Sequence, residues 1–220
     1  MLALTLGAAV SVCACAVAPS PTAPSLTVDL DQAISAPDFE PAFFRALLQN
    51  AFESPDHLEP IRTLKGPLRI YLRNQDDAGQ SIDAATLQLT ERILSESVVI
   101  WSGETLGVAE MARGMATRER MTGWLTVKWR RSDDRDRCGR STVGVDGGYM
   151  EFNLSPACNC GTPGPYPRLI RHELGHAMGY YHTDSALDVM YGQPITADSC
   201  DLLPSDRERR HARLAYGAPR

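Results

Sequence analysis

An α+β fold is what this chain predicts, and three observations predict it. Strand-period and helix-period segments follow one another irregularly between residues 67 and 154, a polar helical stretch closes the chain after residue 205, and between them a helix carries two histidines one turn apart. Hydrophobic content of 43% against 22% charged residues marks a globular protein, and 220 residues suffice for one substantial core. The formal net charge of −5 and the lack of a long basic run argue against a nucleic-acid partner. Lys65 and Lys128 are the only lysines among 22 basic residues, an imbalance typical of a GC-rich, bacterial genome.

Met1 to Val12 is an apolar run of small residues, too short to span a bilayer, and Ala14-Cys15-Ala16 or Ala16-Val17-Ala18 suits a signal-peptidase cut. Residues 1–18 therefore read as a secretion signal. Val12-Cys13-Ala14-Cys15 also resembles a loose lipobox, in which the signal ends before Cys15 and that cysteine is lipidated at the membrane. Residues 19–36, rich in Pro, Ser and Ala, read as an extended tether. Residues 37–60 read as a helical extension: from Pro37 to Glu53, Phe39, Phe43, Phe44, Leu47, Leu48 and Phe52 recur at helical spacing, with Asp38 placed to cap. This helix is expected to pack on the body that follows, in preference to serving as a removable pro-segment.

Residues 61–220 form the body. Pro67 to Arg73 alternates Leu68, Ile70 and Leu72 with polar neighbours and predicts a strand. Ser81 to Ile100 predicts a long helix, started by Ser81 or Asp83 and closed by Trp101-Ser102-Gly103. Leu106 to Met111 and Leu125 to Trp129 predict two more strands, and Val143 to Leu154, turning at Gly147-Gly148, predicts the edge strand beside a cleft. Arg130 to Arg140 reads as a solvated mixed-charge loop, although Asp133, Asp134 and Asp136 are the kind of acidic cluster that holds Ca2+. Past Leu202-Leu203-Pro204-Ser205-Asp206, a turn with a cap, Arg207 to Tyr216 predicts the last helix. His211 on that polar helix and His57 in a loop read as surface residues.

The chemistry is concentrated in His172-Glu173-Leu174-Gly175-His176, followed by Gly179 and His182. On a helix His172 and His176 share a face and can reach one metal ion, with Glu173 beside it. A sharp turn at Gly179, where glycine costs least, would bring His182 back as the third ligand. Three neutral histidines suit Zn2+ and leave one position for water; Glu173 is then the general base and acid.

His172 to His182 resembles the extended zinc signature of the metzincin metallopeptidases, and Asp188-Val189-Met190-Tyr191 resembles their Met-turn. The His182-to-Met190 interval, the Met190-Tyr191 pair and the segment from Asp206 to Ala215-Tyr216-Gly217 are most similar to the matrixin branch. The resemblance implies a zincin catalytic domain with a twisted mixed β-sheet, a long backing helix, an active-site helix and a C-terminal helix. It also implies that Met190 floors the metal site and that an extended substrate aligns along the edge strand. Thr183 and Gly192 stand where matrixins usually have Ser and Pro. Because Gly192-Gln193-Pro194 lies where that family builds its primary specificity pocket, substrate preference does not carry over. Tyr191 is not assigned as a ligand. Arg137-Cys138-Gly139 is similar to the matrixin inhibitory motif, but its place inside the body makes the likeness a coincidence.

Beyond the signal stand Cys138, Cys158, Cys160 and Cys200, an even number. Cys158 and Cys160 are too close in sequence to pair without strain, so two bridges are expected, joining this pair to Cys138 and Cys200 in either order. The rival reading, a second zinc site built on cysteine, lacks a Cys-x-x-Cys pair. The sequence thus predicts an extracytoplasmic protein, secreted or held as a periplasmic or outer-membrane lipoprotein, acting as a monomeric zinc endopeptidase on protein or peptide substrates. The alternatives are an envelope binding module that uses zinc structurally, against which Glu173 speaks, and a narrow aminopeptidase or self-processing peptidase.

Overall fold

The computed structural model describes residues 39–116, 118–133, 137–192 and 199–217. The segments expected to be a signal (1–18) and a tether (19–36), together with Asp38, Asp134, Asp136, Gln193 and Pro194, lie outside the described residues. Helix α1 (Pro41–Gln49) starts with proline, whose missing N–H costs nothing there, and buries Phe43, Phe44, Leu47 and Leu48 along one face. Each buried side chain of this size contributes about 1.5–3 kcal/mol. Asn50 ends the helix at φ 59°, a left-handed conformation asparagine tolerates, so Phe52 falls past the helix and is exposed.

A five-stranded mixed sheet follows, in the order β2-β1-β3-β5-β4. Strands β1 (Leu68–Arg73), β2 (Val108–Gly114), β3 (Trp124–Arg130) and β5 (Tyr149–Asn153) run parallel, with Leu72 opposite Arg113 and Val127, and Val127 opposite Met150. β4 (Gly139–Ser141) runs antiparallel to β5 on the outer edge. Between β1 and β2 the chain crosses by α2 (Ala84–Trp101), capped by Asp83, which accepts from Thr86 N at 2.8 Å. Its buried face, including Leu87, Ile93, Leu94, Val98 and Trp101, keeps the helical period and packs into the same core as β1 and β3.

Two further α-helices lie among the described residues. α3 (Pro167–Ala177) is fixed to α2 by the Trp101 indole, which donates to Arg171 O at 2.9 Å. α4 (Asp206–Tyr216) begins with a reciprocal capping box between Ser205 and Glu208 and ends at Gly217, φ 65°. Its Tyr216 hydroxyl donates to Met178 O at 2.8 Å, just past the end of α3.

Two expectations are corrected. The edge strand beside the cleft is β4, not the segment ending at Leu154; β5 lies inside the sheet, and Asn153 is buried because its amide serves Ser132 and Ser155. Part of the mixed-charge stretch is therefore strand. His211 is fully buried, not a surface residue: it lies under α1, its ring 4.9 Å from that of Phe43, with Nδ1 donating to Arg207 O and Nε2 accepting from Glu40 N. It lies outside the metal-capable cluster. His57 is exposed.

The four cysteines pair as Cys138–Cys158 and Cys160–Cys200, which excludes a cysteine zinc site and any free-thiol role for Cys138 while the bridge stands. They close loops of 20 and 40 residues, each worth about 3–4 kcal/mol on the chain-entropy account. Such bridges belong to an extracytoplasmic protein. Among the described residues no helix is long and apolar enough to cross a membrane.

Candidate metal centre

α3 delivers His172 and His176 on one face, and the chain then breaks at Gly179. Gly179 has φ 105°, and a Cβ there would meet Arg62 O at 1.6 Å, so both conformation and space demand glycine. The turn returns His182 to the first two histidines, and the three rings lie 4.7–5.2 Å apart between centroids. Among the described residues these three form the only group of histidine, cysteine or acidic side chains able to hold a metal ion, with ligand atoms all within 4.8 Å of one another.

Each ring has its outer nitrogen already committed. His172 Nδ1 donates to Val189 O at 2.8 Å, His176 Nδ1 to Tyr180 O at 2.8 Å, and His182 Nδ1 to Glu53 Oε1 at 2.6 Å. With Nδ1 of each ring donating outward, Nε2 is the nitrogen left to serve a metal ion. His176 Nε2 and His182 Nε2 face each other at 3.1 Å, close enough for both to reach one small ion. Tetrahedral Zn–N bonds of about 2.1 Å separate ligand nitrogens by about 3.4 Å, close to this value. Stripping of water pushes His172 down to about 4 and His176 well below the usual range, so the neutral, ligating form is the one present at neutral pH. The donor set fits zinc.

Glu173 is buried, and its Oε2 has no hydrogen-bond partner. Burial raises its carboxyl to about 8 when no metal is near. Its other oxygen rests on the edge strand: a Cβ on Gly139 would sit 2.3 Å from Glu173 Oε1. Met190 packs against α3 at Gly175, which leaves room for it, since a Cβ there would come 2.4 Å from Met190 Sδ.

A buried polar network holds the Met190 turn. Asp188 accepts from Thr183 Oγ1, Ser205 Oγ and the Arg207 guanidinium, while Arg168 Nη2 donates to Asp188 O at 2.6 Å. Glu208 of α4 accepts from Val189 N at 3.0 Å and Met190 N at 2.8 Å. Burial and the Asp188 carboxylate push Glu208 up to about 7, against the pull of three backbone N–H groups. Thr183 thus has a structural task through its hydroxyl.

The three histidines and Glu173 line a groove of about 940 Å³ together with β4, Tyr191 and Gly192. Cys138 and Cys160 also line it, so both disulfides brace its walls. Glu53, Gly139 and Arg168 carry no motif that marks them, and each acquires its role only through packing; the capping-box pattern marks Glu208 for α4 but not for its bonds to the Met190 turn. No protein-family model matches the chain, and no curated protein matches it.

Proposed function

We propose that the protein is an extracytoplasmic zinc endopeptidase of metzincin type, nearest the matrixin branch. The observation that carries this reading is the convergence of three histidines, each oriented through Nδ1, beside a buried carboxylate with one unpartnered oxygen, at the floor of an open groove. His172, His176 and His182 would hold the ion. Zinc bound there supplies a Lewis acid for the scissile carbonyl and lowers the pKa of water towards neutrality.

Glu173 accepts a proton from the attacking water and passes it to the departing amine, so one carboxylate serves as base and then acid. Its burial keeps competing solvent away from that proton. Beta-strand β4, exposed along its outer edge to the groove, offers main-chain groups for an extended peptide. A purely structural zinc would not need an acidic group left without a partner beside it. The five-stranded mixed sheet with its backing helix agrees with the architecture the zinc signature implies.

The test is zinc content and cleavage of a mixed, end-blocked peptide library by the purified wild-type protein and by Glu173→Gln. Wild type is expected to bind about one zinc and cut internal bonds. Glu173→Gln should keep the zinc and lose about 10²–10⁴-fold in rate. Equal cleavage by both proteins, or zinc binding without cleavage by either, would overturn the peptidase reading.

A further inference from the structure

Two of the three histidines are oriented by main-chain carbonyls from within the body, at Val189 and Tyr180. The third is different. His182 Nδ1 meets a side chain, the Glu53 carboxylate, 129 residues away in the segment that follows α1. Both α1 and that segment are also tied to the site through their backbones: Leu47 O of α1 accepts from Tyr181 N at 2.7 Å, and Arg62 O occupies the space a side chain at Gly179 would need. A Cβ added at Gly192 would lie 2.8 Å from both Cγ and Nδ1 of the His182 ring, so only glycine at 192 leaves the ring in its present place. The bare glycine and the carboxylate together fix one ring orientation.

We propose that Glu53 is a positioning residue of the metal centre, which makes the segment from α1 to Arg62 a permanent part of that centre. The inference rests on the zinc reading above. An anionic acceptor at Nδ1 fixes the tautomer, aims Nε2 inward and makes the imidazole a more basic ligand. A main-chain carbonyl does the first two of these more weakly and adds no charge. Glu53 faces the outer nitrogen and lies outside the ligand cluster, so it acts through His182 and not on the ion. A segment that supplies this contact cannot be removed on activation without weakening the site.

The test compares the full chain with Glu53→Ala, Glu53→Gln and Glu59→Gln. Glu59 belongs to the same segment and pairs with Arg62 at 3.0 Å, but touches no histidine. Zinc affinity is read by competition with a chromophoric chelator, and ligand geometry by the visible spectrum of the cobalt(II)-loaded protein. Glu53→Ala is expected to weaken zinc about 10–100-fold and to shift the cobalt bands. Glu53→Gln, which keeps an acceptor and the side-chain volume, should lie between it and wild type, and Glu59→Gln should match wild type. The Gln variant also separates loss of charge from any loss of fold in the Ala variant.

Zinc affinity and cobalt spectrum within about twofold of wild type in Glu53→Ala overturn the proposal. So does an active processed form whose first residue lies beyond Glu53. A wild-type chain that binds zinc and cuts nothing overturns the peptidase reading alone, since affinity and spectrum do not depend on turnover. A wild-type chain that takes up no zinc overturns both.

Discussion

At the residue scale, the site is built by what glycine leaves empty as much as by what the ligands supply. Gly175 admits Met190 Sδ, Gly179 admits Arg62 O, and Gly139 lets Glu173 lie against the edge strand. The last of these gives a sharp prediction. Gly139→Ala forces a methyl group into the position of Glu173 Oε1, 2.3 Å away, and the carboxylate must move by about an ångström. We expect kcat to fall about 10–100-fold with zinc affinity unchanged, because the histidines are held by other groups. Steady-state kinetics beside a chelator titration checks this; an unchanged kcat would mean that Glu173 is not placed by β4. The three-histidine cluster was legible in the sequence because i, i+4 spacing and a following glycine fix its geometry locally. Gly139 was not, since its importance depends on a side chain 34 positions later arriving at the same point.

At the element scale, α4 acts as a buttress for the Met190 turn, and Glu208 is the joint. Its folded pKa of about 7 stands above the ordinary 4.5, so the native state holds this proton more tightly than the unfolded chain. The sign follows directly: the contribution of Glu208 to stability is complete below about 4.5 and declines as pH rises through 7. Compared with Glu208→Gln, wild type should lose on the order of 1 kcal/mol per pH unit between pH 5 and 7, measured by urea unfolding in EDTA. Parallel curves for the two proteins would show that the three N–H bonds hold Glu208 at its ordinary value instead. The elements themselves were largely readable: β1, α2, β2, β3 and α4 announce themselves by apolar period and caps. β4 did not, because Gly139-Arg140-Ser141 has no apolar alternation and is a strand only through pairing with β5. His211 misled for a related reason: its arginine-rich helix reads as solvated, and only the phenylalanines of α1 bury it.

At the scale of the whole molecule, the groove is an assembly of distant segments: α3, the Met190 turn, β4, two disulfides and the residues after α1. Cys160–Cys200 is the longest covalent clamp on it, joining the approach to α3 to the approach to α4 across 40 residues. Cys160→Ser with Cys200→Ser should cost about 3–4 kcal/mol, read by urea unfolding, and should leave the histidine cluster able to bind zinc. On the proposed reading, zinc would be a second and reversible clamp. An ion bound only by the folded state adds RT ln(1 + [Zn]/Kd), about 4 kcal/mol when free zinc is a thousand times Kd. For a chain of this size that is about 8–16 °C in Tm. The rise should appear in wild type and in Glu173→Gln, which retains all three ligands, and be absent in His176→Ala. It should also be smaller in Glu53→Ala at the same free zinc, by the ratio of the two affinities. A calorimetric series with buffered zinc therefore separates the groups that hold the ion from the group that uses it. If His176→Ala were stabilised as much as wild type, the ion would be binding elsewhere and the three histidines would lose their assigned role.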